Sequence, residues 1–115
     1  MVIVLFEVTV KEEKMEDYLA RAAQLKELLV QEEGFISAER FSSLATNGKL
    51  LSMSVWKDEE SAARWRNNIS HRMSQQAGRM EDFVDYKITV VSLLRTYTMQ
   101  DRQEAPEDSN AYFKL

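Results

Sequence analysis

The run Val2-Ile3-Val4-Leu5-Phe6-Glu7-Val8-Thr9-Val10 decides the fold. It is almost continuously β-branched or aromatic, and period-two alternation puts Val2, Val4, Phe6, Val8 and Val10 on one face of a strand and Ile3 and Leu5 on the other. Both faces of this strand therefore want burial. The run is cut by Glu7, stays far short of the ~20 apolar residues of a membrane span, and has no basic lead-in of a signal peptide.

Downstream, the period changes. From about Lys14 to Glu33, Met15, Tyr18, Leu19, Ala22, Leu25 and Leu29 fall on one helical stripe. Acidic residues fill the first turn, and Gly34 stands where a left-handed C-terminal cap is needed. Two strand-like runs follow, Phe35 to about Leu44 and Leu50 to Trp56, separated by Ala45-Thr46-Asn47-Gly48-Lys49, a hairpin signal. In the second run Leu51, Met53 and Val55 alternate with Ser52 and Ser54, which reads as one side facing a core and the other more polar. Asp58 is the expected N-cap of a helix carrying Ala62, Ala63 and Trp65. Asn67-Asn68 is expected to interrupt it, with a second short helix from Ser70 through Met73, Ala77 and Met80. Asp82 to about Arg95 is the last strand, and its final residues are apolar on both faces.

The whole chain of 115 residues, with 44% hydrophobic and 30% charged side chains, fits one compact domain. The absence of cysteine excludes disulfides, thiolate metal sites and thiol nucleophiles, and points to a reducing, cytoplasmic setting. A net charge of −4 gives no reason to expect nucleic acid, and nothing suggests a membrane. A single histidine weakens any metal site. Nucleotide-binding, serine-hydrolase and zincin motifs are absent. Residues 1–95 make the domain; residues 96–115 form a polar extension holding the one proline, expected to be mobile or to act as an arm, with apolar Ala111 to Leu115 positioned to dock on this chain or a partner.

The element order is β-α-β-β-α-β, the split arrangement of an α+β, ferredoxin-like sandwich with helices on one face of the sheet. The bare face would then expose more apolar surface than suits a monomer, so a homodimer through the sheet faces is expected.

In several stretches the chain resembles the antibiotic biosynthesis monooxygenase domain family, small ferredoxin-like chains that form dimeric α/β barrels. These stretches are the opening strand, Glu33-Gly34-Phe35, Ser54 to Ser61, Trp65, and His71 with Gln75, Gly78 and Arg79 leading into Tyr86. The resemblance covers roughly residues 2 to 95. It implies a cofactor-independent monooxygenase acting on a small aromatic phenol, quinol or anthrone, needing neither metal nor flavin. A non-catalytic small-molecule-binding or interaction module of the same fold is the alternative. Haem-degrading members rely on an Asn in the first strand and a His about ten positions after a Trp. Here those places hold Glu7 or Thr9 and Gln75, and His71 comes six residues after Trp65, which argues against haem.

Five residues are candidates for the chemistry. His71 has the only side chain whose ordinary pKa lies near neutrality, so it is the candidate catalytic base; it also reads as a solvent-facing residue that ties down a turn. For substrate binding, Trp65 offers an aromatic wall or core packing. Asn68, in the polar company of Arg64, Arg66 and Asn67, orients a ligand oxygen or belongs to a solvated helix face. Arg79 stabilises an enolate or pairs with Glu81, Asp82 or Asp85. Tyr86 donates a hydrogen bond or packs with its hydroxyl at the rim.

Overall fold

The computed structural model describes residues 1–74 and 83–113, without the side chains of 69–74 and 111–113. Four strands, β1 (Val2–Val10), β2 (Phe35–Ser42), β3 (Lys49–Trp56) and β4 (Phe83–Ser92), form one antiparallel sheet in the order β2-β3-β1-β4. This is the expected α+β, ferredoxin-like arrangement, with β1 central. A single 3-10 turn at Glu12–Lys14 leads into α1 (Met15–Leu29), α2 (Glu59–Ser74) joins β3 to β4, and a terminal helix, α3, spans Glu107–Phe113.

The register sorts every strand residue onto a face. Val8 and Val10 of β1 join Leu50 of β3 and Tyr18 of α1 in the core, with Phe6, Met15 and Phe83 packed against them, so the even-numbered face of β1 carries the helices. Residues paired directly across strands share a face. Ser52 pairs with Phe6 and Ser54 with Val4, so both serines point toward the helices, while Leu51, Met53 and Val55 lie on the bare side with Leu5 and Ile3. The alternation in β3 was therefore legible, but its orientation is set by β1.

Gly34 has φ +86°, the cap expected at the end of the first helix, although α1 itself stops at Leu29 and a short turn fills the interval. Gly34 packs directly over Ser61, which is 2% exposed in the first turn of α2. The backbone N–H and hydroxyl of Ser61 both donate to Asp58 Oδ1 at 2.8 Å, which confirms Asp58 as the N-cap. Those bonds, the backbone one foremost, hold the Asp58 carboxyl below its ordinary range. An acid with a depressed folded pKa stabilises above its unfolded pKa and loses that contribution as pH falls through the folded value. Asp58→Ala is therefore expected to melt earlier than the parent at pH 7, and the gap should begin to narrow below about pH 4 and shrink further as pH falls; parallel melting curves from pH 7 to pH 3 check this.

Contrary to the sequence-based expectation, Asn67-Asn68 does not break α2, which runs unbroken to Ser74. Neither residue is a Gly or Pro, and Asn68 does not turn back on its own backbone: its Nδ2 donates to Glu32 Oε1 at 3.0 Å, pinning α2 to the turn before β2. The remainder of the supposed second helix, Ala77 to Met80, lies outside the described residues. The β2–β3 hairpin closes through Ser43 N–H donating to Lys49 O at 2.9 Å. Its loop is longer than the Asn-Gly turn required, and the Ser43 hydroxyl accepts from Ala45 and Thr46 N–H.

The C-terminal segment carries a short helix and contacts of its own. Arg102 stacks 4.9 Å from the Tyr97 ring centroid and donates to Asn110 Oδ1 and Ser109 Oγ, folding α3 back on the preceding loop. Those contacts are internal to the segment. The radius of gyration is 16.9 Å, against roughly 13 Å for a compact chain of this length.

Candidate functional site

Sheet register builds the floor beneath the helices. One row across β4, β1, β3 and β2 is Ile88, Phe6, Ser52 and Arg40; the next is Val90, Val4, Ser54 and Ala38. A filled interior would carry large aliphatics in the middle of such a floor. Here β3 contributes two serines and β2 an alanine. Ser54 accepts a hydrogen bond from Trp56 Nε1 at 2.9 Å, whereas the half-buried Ser52 hydroxyl has no partner among the described residues.

At the β4 edge of this floor Tyr86, Ile88 and Val90 are 50%, 54% and 50% exposed although they lie on the helix face. Four rings line the adjoining end: Tyr18 meets Phe83 edge-on at 5.6 Å, Phe83 meets Phe6 at 6.3 Å, and Phe6 lies 6.1 Å from Tyr86. The helix side of the sheet thus carries an apolar, aromatic-edged surface with a half-buried serine near its centre. Burial raises the Tyr18 hydroxyl above its ordinary pKa, partly offset by Arg40, whose guanidinium carbon lies 5.9 Å from that ring centroid.

Of the five candidates, Tyr86 stands on the cleft wall with its ring half-exposed. Trp65 and Asn68 share the half-buried stripe of α2 one turn apart; Asn68 is held by Glu32, and its carbonyl oxygen has no partner among the described residues. His71 is carried by α2, but its side chain is outside the described residues, as is the whole of Arg79. Sequence reading missed Ser52 and Arg40. Ser52 was marked by the polar alternation in β3, but only the register shows that its side turns inward.

The opposite sheet face has a different character. Ile3, Leu5, Leu51, Met53 and Val55 are half-buried there, on the face away from α1, and Phe41 and Val91 are 41% and 37% exposed. Toward one end, Glu7 bridges Lys49 at 3.3 Å and Lys87 at 3.1 Å, lining a shallow depression of about 140 Å³. Hydrogen bonds from Lys87 and then Lys49 lower the Glu7 pKa. Among the described residues no group of three or more His, Cys, Asp or Glu could hold a metal ion, and no helix is long and apolar enough to cross a membrane.

Comparison with known proteins agrees with this architecture. A Deinococcus radiodurans protein assigned to the antibiotic biosynthesis monooxygenases superposes with a TM-score of 0.74 at 16% identity, over 87% of this chain and 99% of that one. A Nitrosomonas europaea protein of the same assignment gives 0.71 at 16% identity, over 83% and 100%. In sequence, the chain is 38% identical over 90 residues to the jasmonate monooxygenase ABM of Pyricularia oryzae, covering 78% of this chain and 42% of that protein. The chain thus spans less than half the length of that curated relative. The profile of the antibiotic biosynthesis monooxygenase domain matches residues 1–85, and with strand order, helix placement and sequence in agreement, this chain belongs to the antibiotic biosynthesis monooxygenase family.

Proposed function

We propose that this protein is a cofactor-independent monooxygenase that binds a small, electron-rich ring substrate in the cleft between α2 and the helix face of the sheet. The observation that carries the reading is the composition of that floor: serines at its centre and half-exposed Tyr86, Ile88 and Val90 at its edge, where a closed core would bury bulk. Such a space suits a flat ligand with an apolar body and one or two oxygens to be hydrogen-bonded.

In this mechanism a base, His71, removes a phenolic or enolic proton from the substrate. The resulting carbanion is electron-rich enough to reduce dioxygen itself; for an anthrone, the ring methylene becomes a carbonyl and the second oxygen atom leaves as water. The protein contributes orientation by Trp65 and Tyr86, hydrogen bonding by Asn68, and stabilisation of the developing oxyanion by Arg79. Phenols, quinols and anthrones are the substrate class that this chemistry favours. The relative's named substrate adds jasmonate to the compounds worth testing. The site of action is the cytoplasm, a reading supported by the lack of cysteine. The working unit is a homodimer closed through the bare sheet face, with residues 96–115 reaching toward the partner.

Oxygen uptake by metal-stripped protein with hydroquinones, anthrones and jasmonate tests the reading, with His71→Ala run beside it. Uptake above the spontaneous rate, reduced at least 100-fold in the variant, is the expected result for loss of a general base. Saturable binding of the same compounds without uptake would instead identify a non-catalytic binding module.

A further inference from the structure

The hairpin that joins β2 to β3 carries a leucine with nothing around it. Leu44 is 105% exposed, so its side chain packs on no other part of its own chain. A lone surface leucine on a loose loop would call for no explanation. This loop is fastened at several points. The Ser43 hydroxyl accepts from Ala45 N–H at 3.2 Å and from Thr46 N–H at 3.0 Å. Ser43 N–H donates to Lys49 O at 2.9 Å, and Val10 N–H donates to Gly48 O at 3.0 Å, which ties the tip to β1 as well. The tip, Ser43-Leu44-Ala45-Thr46-Asn47-Gly48, also holds no charge in a chain that is 30% charged. It can therefore approach an apolar surface without stripping water from an ion.

Such a surface begins at the foot of the same hairpin. Phe41 pairs with Leu51 on the bare face, and with Leu5 they line a groove of about 360 Å³ that reaches Ser43. The two ions that border it, Glu7 and Lys49, already bridge each other at 3.3 Å. Leu44 follows Ser43 in the chain but does not fill this groove. We propose that Leu44 of each chain seats in the groove of a second copy. This rests on the sheet-to-sheet dimer proposed above and names the contact that locks it. Self-complementarity is the argument for a second copy. Knob and groove lie side by side at one corner of the sheet, so a twofold axis running along the bare face past that corner exchanges both at once. Two identical contacts then form together, and neither a knob nor a groove is left over to recruit a third chain. A small ligand or peptide in the groove would leave Leu44 in water.

Two measurements on the full chain test this. Sedimentation over a dilution series gives the dimer dissociation constants of the parent, Leu44→Ala and Leu44→Met. Losing the buried area of a leucine costs about tenfold per contact, and each dimer loses two, so Leu44→Ala should weaken association about 100-fold. Leu44→Met, which keeps the bulk, should stay within about threefold of the parent. Because Leu44 packs on nothing in its own chain, the circular dichroism of both variants should match the parent. The chain has no cysteine, so Leu44→Cys and a differently tagged Phe41→Cys each bring a single thiol. Mixed and oxidised, they should form the mixed disulfide in excess over either homodimer. A dimeric parent with Leu44→Ala unchanged, or with no excess of the mixed disulfide, overturns the knob-and-groove contact and leaves the sheet-to-sheet dimer standing. A monomeric parent overturns the dimer, and this inference falls with it.

Discussion

Gly34→Ala is expected to lower stability by about 2–5 kcal/mol, a large fraction of what a domain of this size possesses. Two costs add. At φ +86° a Cβ costs roughly 1–2 kcal/mol, because the left-handed region crowds it against the following carbonyl. The added carbon would also overlap the Ser61 hydroxyl and come within 2.5 Å of its Cβ, and neither belongs to a flexible side-chain end. Ser61 cannot retreat, since its hydroxyl and N–H are both committed to Asp58 and the same hydroxyl accepts from Arg64 Nη2 at 3.2 Å. Relief must come from shifting α2 off the sheet, at an overpacking cost of roughly 1–3 kcal/mol. If α2 roofs a ligand site as proposed, ligand binding should weaken in step with stability. Gly48→Ala is the control: φ is +82° there, but the nearest atom to a new Cβ is Val10 O at 3.2 Å, so only the backbone cost of roughly 1–2 kcal/mol is expected. Urea unfolding of the three proteins measures both numbers. Equal losses at the two glycines would mean that the Gly34–Ser61 contact is not what holds α2 in place.

Met53→Arg is expected to convert a dimer into a monomer while leaving the fold intact. Met53 pairs with Leu5 on one side and Glu39 on the other, in the middle of the bare face that carries Ile3, Leu51 and Val55. In a monomer an arginine at this half-covered position reaches water, and its stem still covers the neighbouring leucines. In a dimer closed face to face, the guanidinium and its cross-strand neighbour Glu39 must be desolvated together inside an apolar seam, at a cost of roughly 3 kcal/mol, which weakens association about 100-fold. Sedimentation velocity at micromolar concentration distinguishes the states. A parent protein that is itself monomeric would remove the sheet-to-sheet dimer altogether, and would leave the apolar face in need of another occupant.

The two glycines also show how far local chemistry could be read without a structure. The positive φ of Gly34 was legible, although it serves the turn into β2 and the C-cap of α1 is Val30, and Asp58 was legible as an N-cap because acidic residues and a helical pattern follow it; both effects are local. The contact between Gly34 and Ser61 was not legible, because 27 positions separate them and only the packing of α2 across the sheet brings them together. Asn68 was misread for the same reason. Its intrinsic preference is for turns, but a partner from outside the helix, Glu32, engages the amide and removes the competition with the backbone. Arg102 is the counterpart in the tail, where a polar, proline-containing stretch acquires a helix once a single guanidinium joins Thr98, Ser109 and Asn110.

The sequence by itself determined the order and type of the six elements of the sandwich, because each is written in a short-range period of apolar residues, and it showed that β1 is apolar on both faces. Tertiary structure alone decided which side of each strand meets the helices. A period of two fixes alternation but not direction, and direction in β3 follows from its pairing with β1, where Val8 and Val10 commit one face to Tyr18. That choice put Ser52 and Arg40 on the helix face, Ser52 half-buried and Arg40 exposed, and sent Leu51, Met53 and Val55 to the opposite face of the sheet.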